Sequence, residues 1–204
     1  MKRPIVVLFS IFLACLSVTG QAIFKINQYN IIYRGDLMPV ITLYGNFPIN
    51  GKLSITSYFY VNGYKNNSWG EGLAGVTYTP VTGISLGFLA GFQSNEPALW
   101  RISPIVVLSK NRFSFFGAFE FGGQRYRWDA MGFYLLKNFK FGAEFIRYYQ
   151  MYAAGPRIEF SFLKKQPITI FYSGLWDWSY GHYSSMFGIY STFGILSGMA
   201  LPDD

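Results

Sequence analysis

The stretch FSFFGAFEFGG, residues 113–123, places five phenylalanines and one glutamate, Glu120, within eleven positions. A helix would spread Phe113, Phe116, Phe119 and Phe121 around most of its circumference and leave Glu120 on an apolar flank. A strand sorts them instead. With a period of two, Phe113, Phe115, Gly117, Phe119 and Phe121 share one face, while Ser114, Phe116, Ala118, Glu120 and Gly122 share the other. One face is greasy and the other mixed, so the greasy one needs either a protein core or lipid.

Composition favours lipid. The 204 residues are 51% hydrophobic and 21% aromatic but only 13% charged, the profile of a membrane or β-rich chain rather than an ordinary soluble domain. Residues 1–22 read as a secretory signal: Lys2 and Arg3 begin it, Ile5 to Leu16 form an apolar stretch too short to span a bilayer, and Gly20-Gln21-Ala22 supplies small residues for cleavage after Ala22. Cys15, the only cysteine, lies inside this segment. Leu13-Ala14-Cys15 is faintly like a lipoprotein cleavage site, but Phe12 stands where a small aliphatic residue belongs. The mature chain then has no disulfide framework. No later segment supplies the roughly 20 apolar residues of a spanning helix, and a closed barrel is the other structure that satisfies its backbone in lipid.

Turn signals recur at 47–51, 79–83, 109–112, 136–140 and 164–167, about one two-strand hairpin apart. Between them fall longer polar breaks at 34–36, 62–72, 93–98, 122–129, 151–156 and 177–185. The pattern predicts strands near 24–33, 40–47, 52–61, 71–79, 84–92, 99–109, 113–122, 129–137, 140–150, 156–163, 168–176 and 184–194. Most alternate: Leu53, Ile55, Phe59 and Val61 oppose Ser54, Thr56, Tyr58 and Tyr60; Ile84, Leu86 and Phe88 oppose Ser85 and Gly87; Ile158, Phe160 and Phe162 oppose Arg157, Glu159 and Ser161. Arg147 breaks the pattern by falling on the face of Phe141 and Phe145, which places it at a rim or beside a bulge.

In these features the chain resembles bacterial outer-membrane β-barrels, porin-like in the broad sense, over residues 23–194. The resemblance implies a closed, all-β antiparallel transmembrane barrel with an even strand number, most simply twelve within a range of 8–12, and with both ends at the short turns. Residues 195–204 form a short C-terminal tail, where the class commonly ends on an aromatic residue. A secreted β-sandwich or lipocalin-like barrel is the soluble rival.

Charges and tryptophans follow the same geometry. Trp69, Trp100, Trp128, Trp176 and Trp178 lie at the long-break ends, as an interfacial girdle would. Lys52, Lys110, Arg112, Lys137, Lys140, Lys164 and Lys165 crowd the short turns without an acid and account for much of the +7 net charge. Closing the 99–109 and 113–122 hairpin at SKNR sets Arg101 across from Glu120, both facing the lumen. Glu71, Glu144, Arg157 and Glu159 face inward too, with Tyr44, Tyr58, Tyr60, Tyr134 and Tyr190.

For catalysis the sequence offers His182 and Ser184 in GHYSS. Their His-x-Ser spacing resembles outer-membrane lipid A deacylases, which implies Ser184 as nucleophile and His182 as base, but no acid follows between Ser185 and Pro202. No metal cluster or phosphate loop is present in the sequence, and no cofactor is expected. The expected role is a narrow, porin-like channel for small polar solutes, and the expected compartment is the outer membrane of a Gram-negative-type bacterium. Outer-membrane lipids and the barrel-assembly machinery are the partners implied; a dispersed charge on an exported chain argues against nucleic acid. A closed structural or adhesion barrel is the alternative, and a deacylase-like enzyme the next.

Overall fold

The computed structural model describes residues 23–33, 35–63, 68–94, 100–122, 125–148, 151–162 and 168–194. The predicted signal segment, the C-terminal tail and the Lys164–Lys165 pair lie outside them. Twelve strands run β1 (Ile23–Tyr33), β2 (Asp36–Pro48), β3 (Leu53–Asn62), β4 (Trp69–Val81), β5 (Ile84–Gln93), β6 (Trp100–Lys110), β7 (Phe113–Gly122), β8 (Arg125–Leu136), β9 (Phe139–Tyr148), β10 (Met151–Phe162), β11 (Ile168–Asp177) and β12 (His182–Gly194). Each pairs antiparallel with its sequence neighbours, and β1 closes on β12 from Ile23↔Gly194 to Ile32↔Ser185. The ring has no free edge, so every strand's backbone groups find partners without water.

Polarity is inside out. Phe113 is 65% and Phe92 60% exposed on the outer wall, while Glu71 and Glu144 are each 1% exposed on the inner one. A soluble sandwich or lipocalin-like barrel would reverse this order, because an unbroken outer belt of Ile, Leu and Phe has no place in water. The opening stretch obeys it: Phe113 and Phe121 are exposed, and Glu120 and Gly122 are buried.

The strands exceed their predicted length at the end away from the chain termini. β2 begins at Asp36, β4 at Trp69, β8 at Arg125 and β10 at Met151. Arg, Asp and Glu read as loop residues in a soluble protein. Here they continue the ladder: Asp36 shares the inward parity of Met38, and Glu71 and Arg127 meet inside the bore.

Turn geometry corrects one register. Lys110 pairs with Phe113 around Asn111, which has φ 54°, and Arg112, so the hairpin is centred one residue later than SKNR suggests. Ile102 therefore lies across from Phe121, two residues away from the register that would face Arg101 with Glu120.

Candidate functional site

The interior carries two ionic clusters and, beside them, two apolar ones. In the first ionic cluster Arg127 Nη2 donates to Glu71 Oε1 at 2.8 Å and to Glu120 Oε1 at 2.6 Å. Glu120 and Arg127 are direct cross-strand partners. The Arg127 guanidinium lies 4.6 Å from the Tyr60 ring centroid, and Tyr60 packs on Trp69 at 4.9 Å. Arg101 Nε donates to Gln93 Oε1 at 2.6 Å and sits 3.9 Å from Glu71 Oε2.

Arg157 organises the second cluster. Its Nη1 donates to both oxygens of Glu144, at 3.0 and 3.1 Å, and its Nε to Glu159 Oε1 at 2.9 Å. Ser173 donates to Glu144 Oε2 as well, and Tyr190 donates to the second oxygen of Glu159 at 2.6 Å. Lys140 Nζ reaches Glu159 Oε2 and the Tyr190 hydroxyl, each at 3.3 Å. Arg157 also stacks 3.8 Å over Phe171, and Lys25 Nζ 3.9 Å over Tyr190. Such charge-assisted, forked contacts are the strong ones in a water-poor interior.

Asp129 joins the two. On β8 it stands two residues from Arg127 of the first cluster, and its cross-strand partner on β9, Ile146, is two residues from Glu144 of the second. Its Oδ1 is buried and meets no hydrogen-bond donor among the described residues. Lys25, Arg101, Arg127, Lys140 and Arg157 thus match Glu71, Glu120, Asp129, Glu144 and Glu159 along the wall from β4 to β10 and across to β1, while Asp36 and Asp177 lie apart from this seam at the end away from the termini.

The rest of the bore is mixed: Thr42, Thr56, Thr169 and Ser184 are buried polar groups on its inner face, beside two apolar clusters. Ile31, Met38, Val40, Ile146, Met151, Leu175 and Met186 pack with Tyr60 and Trp69 at the end away from the termini, and Leu73, Leu89 and Ile105 form a second cluster.

Several predicted residues land elsewhere. Trp69 faces the lumen and leaves the girdle, because it shares the parity of Glu71 and Leu73 on β4. Trp100, Trp128, Trp176 and Trp178 stay on the outer side, with Trp176 edge-on to Tyr183 at 4.8 Å. Tyr134 points outward, edge-on to Phe113 at 4.9 Å, whereas Tyr44, Tyr58, Tyr60 and Tyr190 point in. Lys140, assigned to the basic rim, turns into the lumen. His182 begins β12 across from Asp177, and Ser184 lies across from Leu175 with its side chain buried inside the bore. The sequence reading missed Lys25, Arg127 and Asp129. Two-residue parity from Glu120's cross-strand partner would have found the last two, had the 122–129 segment been read as strand.

Solved structures with this arrangement are outer-membrane proteins. The KdgM porin superposes with a TM-score of 0.55 at 12% identity, over 83% of this chain and 98% of its own. An outer membrane channel from Pseudomonas putida F1 gives 0.55 at 10% identity, over 85% and 96%. The fold is that of outer-membrane porins and channels. The outer membrane phospholipase A from Escherichia coli also shares it, with a TM-score of 0.50 at 8% identity over 87% of this chain and 92% of its own. No family model and no curated protein sequence matches the chain.

Proposed function

We propose that this barrel is a narrow outer-membrane channel for small polar solutes of low net charge. The observation that carries the reading is the set of ion pairs around Arg101, at the start of β6, Arg127, Arg157 and Lys140, at the start of β9, with Asp129 between the two clusters. A bore of about this strand number is intermediate between a filled barrel and an open diffusion pore, so any path is narrow. Balanced charge lets a polar molecule exchange hydrogen bonds along the wall without strongly favouring either ion sign. The porins that share the fold support transport as the class of activity. Outer-membrane lipids and the assembly machinery are the partners this role requires.

Catalysis is not part of the reading. His182 and Ser184 face the bore, away from acyl chains in the surrounding lipid.

One observation favours a closed barrel as the second reading: Thr56, Ser173, Leu89 and Leu175 are 0% exposed inside the bore. Single-channel recording of refolded protein in a planar bilayer separates the two. Small discrete steps altered by substitution at Arg127 or Asp129 support the channel; a silent bilayer with verified insertion supports the closed barrel.

A further inference from the structure

Among the strand residues whose side chains are described, the charged ones point into the lumen except Lys110, the last residue of β6, and Arg147. Arg147 is one residue from the end of β9, across from Trp128 on β8 and Tyr152 on β10. The ladder is unbroken on both flanks, so no bulge turns the side chain inward. It stands on the lipid side of the wall, at the rim away from the chain termini.

Aromatic rings surround it. The guanidinium lies 4.2 Å from the Tyr152 ring centroid. Phe145, two residues nearer the midplane on the same face, has its ring 4.4 Å from Trp128 and 6.0 Å from Trp178. The Trp178 backbone N–H donates to the Tyr152 backbone carbonyl at 2.9 Å, which ties the far side of the bay to β10. Trp128, Tyr152 and Trp178 make the walls and Phe145 the floor.

Tryptophan and tyrosine settle at headgroup depth, which sets the level of this bay. A cation on a barrel's lipid face is opposed by about 2–4 kcal/mol at the midplane but only about 0–1 kcal/mol near the interface. At that level the groups that match a guanidinium fork are lipid phosphates, and rings beside it cover the apolar parts of the same molecule. A solute in the bore cannot reach it.

We propose that Arg147, in the bay of Trp128, Phe145, Tyr152 and Trp178, binds the phosphate of a membrane-lipid headgroup, with the acyl chains lying over Phe145. The site rests on the outer-membrane reading and not on the channel, so a silent bilayer leaves it untouched.

Native mass spectrometry of refolded barrel in non-ionic detergent tests it, with diphosphorylated lipid A, dephosphorylated lipid A, phosphatidylglycerol and inorganic phosphate as probes. Wild type should retain lipid A or phosphatidylglycerol, the better of the two naming the leaflet. Arg147→Gln should weaken that retention about tenfold, with Arg147→Lys intermediate because it keeps the charge and loses the fork. Dephosphorylated lipid A should bind wild type as poorly as lipid A binds the glutamine variant. Heat-modifiable gel migration checks that each variant folds. Equal retention by Arg147→Gln and wild type overturns the site, and displacement of lipid by millimolar inorganic phosphate overturns its assignment to a lipid.

Discussion

Arg127 holds two carboxylates that would otherwise be buried together. Glu71 is 1% and Glu120 7% exposed, and both contact the same guanidinium nitrogen. Removing one partner of a buried ionic group leaves uncompensated charge, so Arg127→Ala should destabilise the barrel by about 3–5 kcal/mol in urea unfolding from vesicles. Adding Glu71→Gln and Glu120→Gln to that variant should restore much of the loss. An alanine variant as stable as wild type would show that water or another cation already screens the pair. His182 and Ser184 give the opposite expectation. Since both face the bore, His182→Ala and Ser184→Ala should leave the acyl pattern of lipid A from expressing cells unchanged, as read by mass spectrometry; a pattern altered by wild type and restored by either variant would establish an acyl hydrolase.

At the level of the strands, alternation made the wall legible, and loops hid the site. Phe88, 53% exposed at the middle of β5, is followed by fully buried Leu89, so neighbouring residues meet lipid and lumen. Phe88→Lys near the midplane should cost roughly 2–4 kcal/mol in the same unfolding assay. Folding unimpaired by that lysine would mean the assigned face is wrong. Every predicted strand is found, because greasy-out alternation is set locally by side-chain parity. The centre of the ionic wall escaped because Arg127 and Asp129 lie in a segment, GGQRYRWD, whose composition looks like a loop; only cross-strand pairing with Glu120 and Ala118 reveals it as β8. Trp69 differs for another reason: ring preference for the interface outweighs parity with Glu71 in its assignment, whereas Tyr134, assigned to the lumen, is the cross-strand partner of Phe113 and follows it outward. The Arg101–Glu120 register failed at a single turn. Asn111, at φ 54°, tolerates the left-handed conformation that a two-residue hairpin needs, and a β-branched residue does not. Asn111→Val should therefore lower stability by about 1–2 kcal/mol without changing the strand faces; an unaltered urea midpoint would mean that the turn does not set the register.

Taken as a whole, the barrel is an oily cylinder around a charge-balanced seam, and the balance has a measurable consequence. With Lys25, Arg101, Arg127, Lys140 and Arg157 set against Glu71, Glu120, Asp129, Glu144 and Glu159, the seam itself carries little net field, and Asp36 and Asp177 stand apart from it at the end away from the termini. A conducting barrel should show a reversal potential near zero in a potassium chloride gradient. Asp129 is the place to tip it. It stands between the two ionic clusters, and because its Oδ1 already lacks a donor, an isosteric amide breaks no hydrogen bond at that oxygen. Asp129→Asn leaves the cations in excess at the waist, so the reversal potential should move toward anion preference while folding is retained. Arg127→Gln should move it the other way, since Glu71 and Glu120 then lose their shared cation. Opposite shifts from two substitutions at neighbouring inward positions of one strand would place the conducting path along β8. Currents unchanged by both, from a barrel of verified insertion, would put any path outside the ionic wall and reduce those charges to mortar for the lumen.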